Sequence, residues 1–549
     1  MKTFQIIILA GCTAALAASA AAPAAQTPSD FKVYVRVAER KALNAAVTRA
    51  TAALANPLAA PALQGALKNA PAGQLLEIEC APNAARGRRP VPRPVTNAAA
   101  LARFTLRKDE MVRVFLPAES VSALRSELNA IAATNEELRT SIAAHRAPFD
   151  NIAAFSGGVK FTDAGLEFAG EADLVPGGAW SKMPFTPLTK KDLDFAKVPD
   201  SAHAFGVDRT LGFDDPAAQV PMIRSAMFEG PKSMFAKFES AAAKKKDAAE
   251  RKKFTAELAA LRKLVEVLLT DVPQKPAGVR GEFRVCTDKA GRMSYTGSIS
   301  GYPGVGAYAE KLGAETVRAL DAIRPLEPKN LASFSVRRKP GELVLALDAA
   351  KLVEAMTDDS DSAKVRTNAL RVVKAAFGGD RLVCRVGSSA DALSITLAGS
   401  SCGKPSACTG RAARRVARAL PEIATRNDLV AVEFLSIYTL LRNYALGLIN
   451  AAFDRETIEP YDPILNQLPD TGDAGIGAFV ARRGDRIEGA IRISSDEIRG
   501  FGATGMAFVS YQMASAMGGS DDDDDDDDDG DDDGEDDDGD DDGEDGEED

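Results

Sequence analysis

One pattern recurs four times and restricts the fold more than any other feature: a short strand, a turn built on Gly or Asp, and a second strand. It runs through residues 159–174, 283–300, 382–397 and 478–493. Period-two alternation across such a turn is a hairpin signal. Three of the hairpins are followed by another short strand with Asp or Asn just before it, at Asp200, Asn330 and Asp428. The offsets Leu166 to His203, Arg292 to Ala332 and Ala392 to Val430 are 37, 40 and 38 residues. Units this long are not a short-period solenoid. The expectation is an α+β fold of repeated antiparallel hairpin and strand modules with helices packed on one face.

Two segments carry helical heptads. Val121, Leu124, Leu128, Ile131, Asn135, Leu138 and Ile142 form one seam, and Phe254, Leu258, Leu261, Val265 and Leu268 form the other. Either the two pack on each other or each packs on a sheet. The expected organisation is a first module over 28–210 with a long helix at 118–146, then a helical segment at 211–278. A second module follows at 279–375, and a third at 376–512 that ends in a hairpin and a short segment from Asp496. Residues 513–549 form a linker and tail. Spacing alone leaves open whether the modules are separate domains or one sheet.

Charge divides the chain. Residues 521–549 contain 24 of the 79 acids and otherwise only Gly, which leaves 67 basic against 55 acidic side chains in the rest. The tail cannot bury a core and repels itself, so it is expected to be disordered. A basic body tethered to a polyanion is a statement about partners. Arg411, Arg414, Arg415 and Arg418 fall on one side of a helix, and Lys244, Lys245 and Lys246 form a second basic patch. Such runs read either as a solvated face or as an anion site served by the protein's own tail or by an anionic envelope component. Few aromatics flank the basic runs, which argues against nucleic acid.

The beginning reads as an address. Lys2, an apolar run over 4–18 and Ala18-Ser19-Ala20 match a cleaved export signal over residues 1–20. The alternative is a lipidated Cys12 after Leu9-Ala10-Gly11. The expected location is periplasm, outer envelope or exterior. The later apolar stretch 429–453 is broken by Glu433, Arg442 and Asn443, so no transmembrane helix is expected in the mature chain. Cys402 and Cys408 are the best disulfide pair for an oxidising compartment.

Motifs for chemistry are few. Ser401 lies in G-x-S-x-G and, with Lys404, in S-x-x-K, but no His follows His203 to serve as base. The G-x-G-x-x-G at 500–505 lacks a following βαβ unit and reads as a flexible turn. Arg483-Gly484-Asp485 sits at an expected hairpin tip as ordinary turn chemistry. With two His, His145 and His203, and no C-x-x-C, no metal site or cofactor is expected. The tail fits an EF-hand loop only loosely, and weak, diffuse Ca²⁺ association is its expected limit.

In layout, the opening at residues 30–51 and the recurring hairpins resemble uncharacterised exported bacterial proteins built from repeated strand-hairpin and helix units. The resemblance carries no catalytic residues. The functional expectation is a non-enzymatic envelope or secreted binding or structural protein. One alternative is a carrier of lipid or another apolar ligand, and a second is a hydrolase using Ser401 and Lys404.

Overall fold

The computed structural model describes residues 31–54, 70–80, 92–134, 150–209, 216–453 and 474–517, with positions 61, 65, 468, 469 and 472. It has breaks at 184, 232, 277, 327–330, 358–361 and 404–405. The leader, Cys12, Cys80's side chain, the 135–142 half of the first heptad seam, His145, Lys404 and the acidic tail lie outside what is described. Helices of eight residues or more are numbered with the strands in chain order. The chain opens with β1 (Phe31–Val37), α1 (Arg40–Leu54), β2 (Leu75–Cys80) and β3 (Arg93–Pro94). Then come β4 (Glu110–Leu116), α2 (Ala118–Thr134), β5 (Ile152–Thr162) and β6 (Gly165–Leu174). The next group is β7 (Ala202–Asp208), α3 (Pro216–Phe228), α4 (Met234–Lys244), α5 (Ala248–Leu268), β8 (Arg280–Thr287), β9 (Met293–Ser300) and α6 (Val305–Ile323). It is followed by β10 (Phe334–Lys339), β11 (Glu342–Asp348), α7 (Ala349–Met356), α8 (Ala363–Phe377), β12 (Arg381–Ser388), β13 (Ala392–Gly399) and α9 (Arg411–Ala419). Last are β14 (Leu429–Leu435), α10 (Ile437–Ala452), β15 (Ile476–Arg483), β16 (Arg486–Ser494) and α11 (Ser495–Met517).

All sixteen strands join one continuous antiparallel sheet in the order β10-β11-β12-β13-β9-β8-β7-β14-β15-β16-β6-β5-β4-β1-β2-β3. The expected modules are therefore not separate domains. The repeat is strand, helix, hairpin: β4 with β5–β6, β7 with β8–β9, β11 with β12–β13, and β14 with β15–β16. In each unit the entering strand pairs with the hairpin's first strand. Neighbouring units meet alternately through outer hairpin strands, β13 on β9 and β16 on β6, and through entering strands, β7 on β14. This corrects the grouping expected from spacing, because β6, β9 and β13 are not neighbours of the strands that follow them in sequence.

One face of the sheet is apolar along an unbroken cross-strand row. It runs Val336, Leu345, Cys384, Leu397, Tyr295, Val285, Ala204, Leu435, Ile476, Ile493, Leu166 and Phe161. Period-two patterning in twelve strands produces this row, because successive side chains alternate between faces. Helices α1, α2, α6 and α11 lie on this face. α2 packs Leu124 against Val33, Val35 and Val114, and α1 and α11 bring Ala46 and Ile498 to Phe161 and Leu166. The two heptad seams do not pair: α2 lies on β1 and β5, whereas α5 lies on α6. α11 is a 23-residue helix rather than the turn, short segment and linker expected from 496–520, and Gly500 fits directly against the ring of Tyr438.

The opposite face carries the Glu110–Arg113–Glu171 cluster and a Tyr34–Phe104–Phe115 stack toward one end of the sheet and is capped in the middle. There, Phe205, Val207, Val432 and Phe434 pack under α9 and the segment carrying Leu188, Phe195 and Val198. Glycines on the helical face let aromatic rings lie flat. Phe155 covers Gly157 and Gly170, Phe283 covers Gly206, and Tyr295 covers Gly297. A Cβ on Gly206 would stand 2.9 Å from Glu433 Cγ, Phe283 Cε1 and the Val432 carbonyl. Gly206→Ala is therefore expected to cost about 1–3 kcal/mol as overpacking at the central strand junction, read as a lower urea midpoint at unchanged slope.

Candidate anion-binding pocket

The central seam β7–β14 positions a polar pocket at one end of the sheet. The register of β7 on β8 shifts between Ala202 and Ala204. This bulge lies at His203, which is 4% exposed, and its Nε2 is 2.8 Å from Thr287 Oγ1. From the capped face comes α9, whose start is fixed by Asp200. The Asp200 carboxylate accepts the backbone N–H of Thr409 and of Arg411 and the Thr409 hydroxyl. Gly410, at φ +81°, makes the entry turn that side chains disfavour. Reciprocal serine bonds, Ser201 N–H to Ser406 Oγ at 2.8 Å and Ser406 N–H to Ser201 Oγ at 3.2 Å, hold the same loop. α10 enters from the helical face, with the Ser436 N–H donating to the His203 carbonyl at 2.6 Å.

These elements enclose about 450 Å³ lined by Asp200, Ser201, His203, Thr287, Asp288, Lys289, Ser406, Arg411, Arg415, Thr439, Arg442 and Asn443. Four cationic side chains face two carboxylates. Asp288 is already engaged, accepting from the Gly403, Ala290 and Arg292 N–H groups and from Arg292 Nε. Arg415 is buried at 2% exposure and donates to the carbonyls of Ala202 and Gly472, and Arg411 also donates to Gly472. Burial, reinforced by Arg415 and Arg411, holds the His203 pKa down at about 4, so the ring is neutral at neutral pH. Two buried atoms of the lining have no hydrogen-bond partner, His203 Nδ1 and Arg442 Nε. Unpaired buried polar atoms are costly, and the two residues that carry these both line this cavity.

The four arginines of α9 span about 100° of helix surface at 3.6 residues per turn, and the two edges of that arc reach different places. Arg411 and Arg415 enter the pocket. Arg414 is exposed, and Arg418 is exposed, 3.5 Å from Asp496, and lines a different cavity. Lys244, Lys245 and Lys246 lie on the α4–α5 turn, outside this pocket, with Lys245 over the Phe254 ring. Cys402 and Cys408 are not joined. They are free thiols whose Sγ atoms donate to separate carbonyls, of Met293 and Lys197. The loop that spacing suggested is pulled apart by those two anchors. Ser401 is exposed at the end of β13, and its N–H donates to the Gly378 carbonyl. Arg483, Gly484 and Asp485 do form the β15–β16 tip, with Gly484 at φ +59°.

Arg442 had a signal in sequence as the cation that interrupts the apolar stretch 429–453. Thr287, Asp200 and Asp288 had none, because only the strand pairing brings them together. Among the described residues no group of three His, Cys, Asp or Glu could hold a metal ion, and no helix is long and apolar enough to cross a membrane. No protein-family model, no curated protein and no solved structure matches this chain.

Proposed function

We propose that this chain is an exported, non-catalytic binding protein that holds an anionic ligand in the pocket between α9, α10 and the ends of β7 and β8. The observation that carries this reading is the convergence of Arg411, Arg415 and Arg442 on a cavity whose lining residues Arg442 and His203 carry buried atoms, Nε and Nδ1, without partners. Guanidinium groups recognise carboxylate and phosphate through paired N–H donors, and partial burial strengthens each contact. The neutral ring of His203 adds a polar contact without adding charge. Ser401 does not line this pocket, and a binding role does not need a nucleophile. The acidic tail acts as a tethered competitor for the exposed cations, Arg414 and Arg418 among them, and its covalent attachment gives it a high effective concentration.

Two measurements test the reading. Acetate, citrate and inorganic phosphate, titrated into the full chain, are expected to raise its melting temperature saturably for at least one anion. Arg442→Ala is expected to remove that rise. A panel without effect, or an effect unchanged in Arg442→Ala, overturns the pocket assignment. For the tail, deleting residues 521–549 is expected to increase the salt concentration needed to elute the protein from heparin resin. Unchanged elution overturns the competition.

A further inference from the structure

The pocket opens beside an uncovered part of the apolar sheet face. Thr287 lines the pocket, and its cross-strand partner on β9 is Met293. From Met293 an apolar row continues through Tyr295, crosses to Leu397 on β13 and reaches Ile395. These four are 41%, 36%, 38% and 41% exposed. On the same face in the other half of the sheet, Phe161, Ile152 and Ile487 are 7%, 7% and 4% exposed under their covering segments. The difference lies in helix placement. α6 covers one end of these strands, packing with Ile299, Leu393 and Leu343, while α8 and α10 pack together toward the other. Between them the floor stays open. Gly297 keeps it flat, since a Cβ there would stand 2.5 Å from the Tyr295 hydroxyl. Leu441, next to Arg442 on α10, is 53% exposed.

We propose that the pocket and this row form one site, which binds a fatty acid with its carboxylate at Arg442 and His203 and its chain across Met293, Tyr295, Leu397 and Ile395. The inference rests on the anion reading of the pocket. At strand spacings of about 3.4 Å along and about 4.8 Å across, the row extends about 17 Å diagonally from Thr287, room for one alkyl chain lying flat. Charge and shape choose the head group: four cations against two carboxylates call for an anion, and a guanidinium matches a planar carboxylate with two N–H donors in one plane. Burying an alkyl chain on such a floor contributes in proportion to its apolar area, so affinity should climb with chain length until the row is filled.

The test uses the full chain stripped of lipid, titrated calorimetrically with octanoate, laurate, dodecyl phosphate and dodecanol. Laurate is expected to bind one per chain and more tightly than octanoate, with dodecanol and dodecyl phosphate each weaker. Arg442→Ala and Leu397→Ser are each expected to weaken laurate by about tenfold or more. Leu397→Ser should leave the response to the small anions unchanged, whereas Arg442→Ala should abolish it. If the small anions bind through Arg442 but laurate ignores Leu397→Ser and Ile395→Ser, the pocket reading stands and the fatty-acid proposal falls. If neither class of ligand responds to Arg442→Ala, both fall. Dodecanol binding as tightly as laurate overturns the carboxylate anchor, and dodecyl phosphate binding more tightly overturns the choice of head group. Leu397 and Ile395 are surface positions, and a melting temperature close to the parent's shows that each variant is folded.

Discussion

Arg113→Ala is expected to cost about 3–5 kcal/mol of folding stability, the largest effect of a single substitution considered for this chain. Arg113 and Glu110 are 3% and 4% exposed and bond at 2.7 Å on the face of the sheet opposite the apolar row. The same guanidinium donates to Ser156 Oγ at 2.7 Å and to Glu171 Oε1 at 2.9 Å. Glu171 also meets Arg107 and Arg486, and these cations hold its carboxyl below the usual range against the burial that raises it. A buried pair of this kind adds little net stability over well-packed apolar side chains. Breaking it is costly because one charge is left behind in a medium that solvates it poorly. Truncating Arg113 strands Glu110 among β4, β5 and β6. Glu110→Met with Arg113→Met is therefore expected to cost less than Arg113→Ala alone, measured by urea denaturation in a double-mutant cycle. A double variant at least as unstable as the single would show that the packing of the guanidinium matters more than its charge.

Lowering the pH from neutral to about 4.5 is expected to remove about 2 kcal/mol of stability through His203. Its folded pKa of about 4 lies below the ordinary 6.5. Between those values the unfolded chain binds a proton that the folded chain refuses, so stability rises with pH through this window and is lost as pH falls through it. The groups around the ring explain the refusal. Arg411 and Arg415 reach it from α9, Thr287 from β8, Thr439 and Arg442 from α10, and Asp200 stands at the rim. Burial and the two α9 arginines outweigh the two carboxylates of the lining, Asp200 and Asp288. His203→Gln is expected to flatten the dependence of unfolding free energy on pH across this window. The paired carboxylates lose their stabilisation only at lower pH, since Glu171, Glu422 and Asp428 are held below their ordinary values. A His203→Gln profile as steep as the parent's would show that another group carries the window.

Much of the fold could be read from alternation and turns, since both are local. Hairpins at 159–174, 283–300, 382–397 and 478–493 correspond to β5–β6, β8–β9, β12–β13 and β15–β16. Helices α1, α2, α6 and α11 share one face because apolar positions there repeat every second residue in strand after strand, whereas α9 lies on the other. Strand partnership could not be read, because β7 and β14 are separated by more than two hundred residues and carry the same alternation as every other strand. The entering strands β4 and β11 were missed: β4 is a seven-residue segment between less distinctive turns, whereas β11 follows Pro340-Gly341, a turn signal that pairs it with β10 as a further hairpin. The pocket suffered more. Arg411 and Arg415 were visible as part of a basic run, but nothing local distinguishes them from Arg414 and Arg418, and the choice is made by how α9 is rolled onto the sheet.

The position of the last-made unit decides when the sheet can close. Synthesis proceeds from the amino end, yet β14, β15 and β16 lie between β7 and β6. Everything up to β13 therefore forms at most two unconnected sheet fragments, one ending at β6 and the other at β7. Each presents an unpaired apolar strand of the kind that invites misassociation. The final seventy or so residues of sheet act as a keystone joining fragments with long loops between them, a slow class of closure. A chain arranged this way completes its tertiary structure only after nearly all of it has been made.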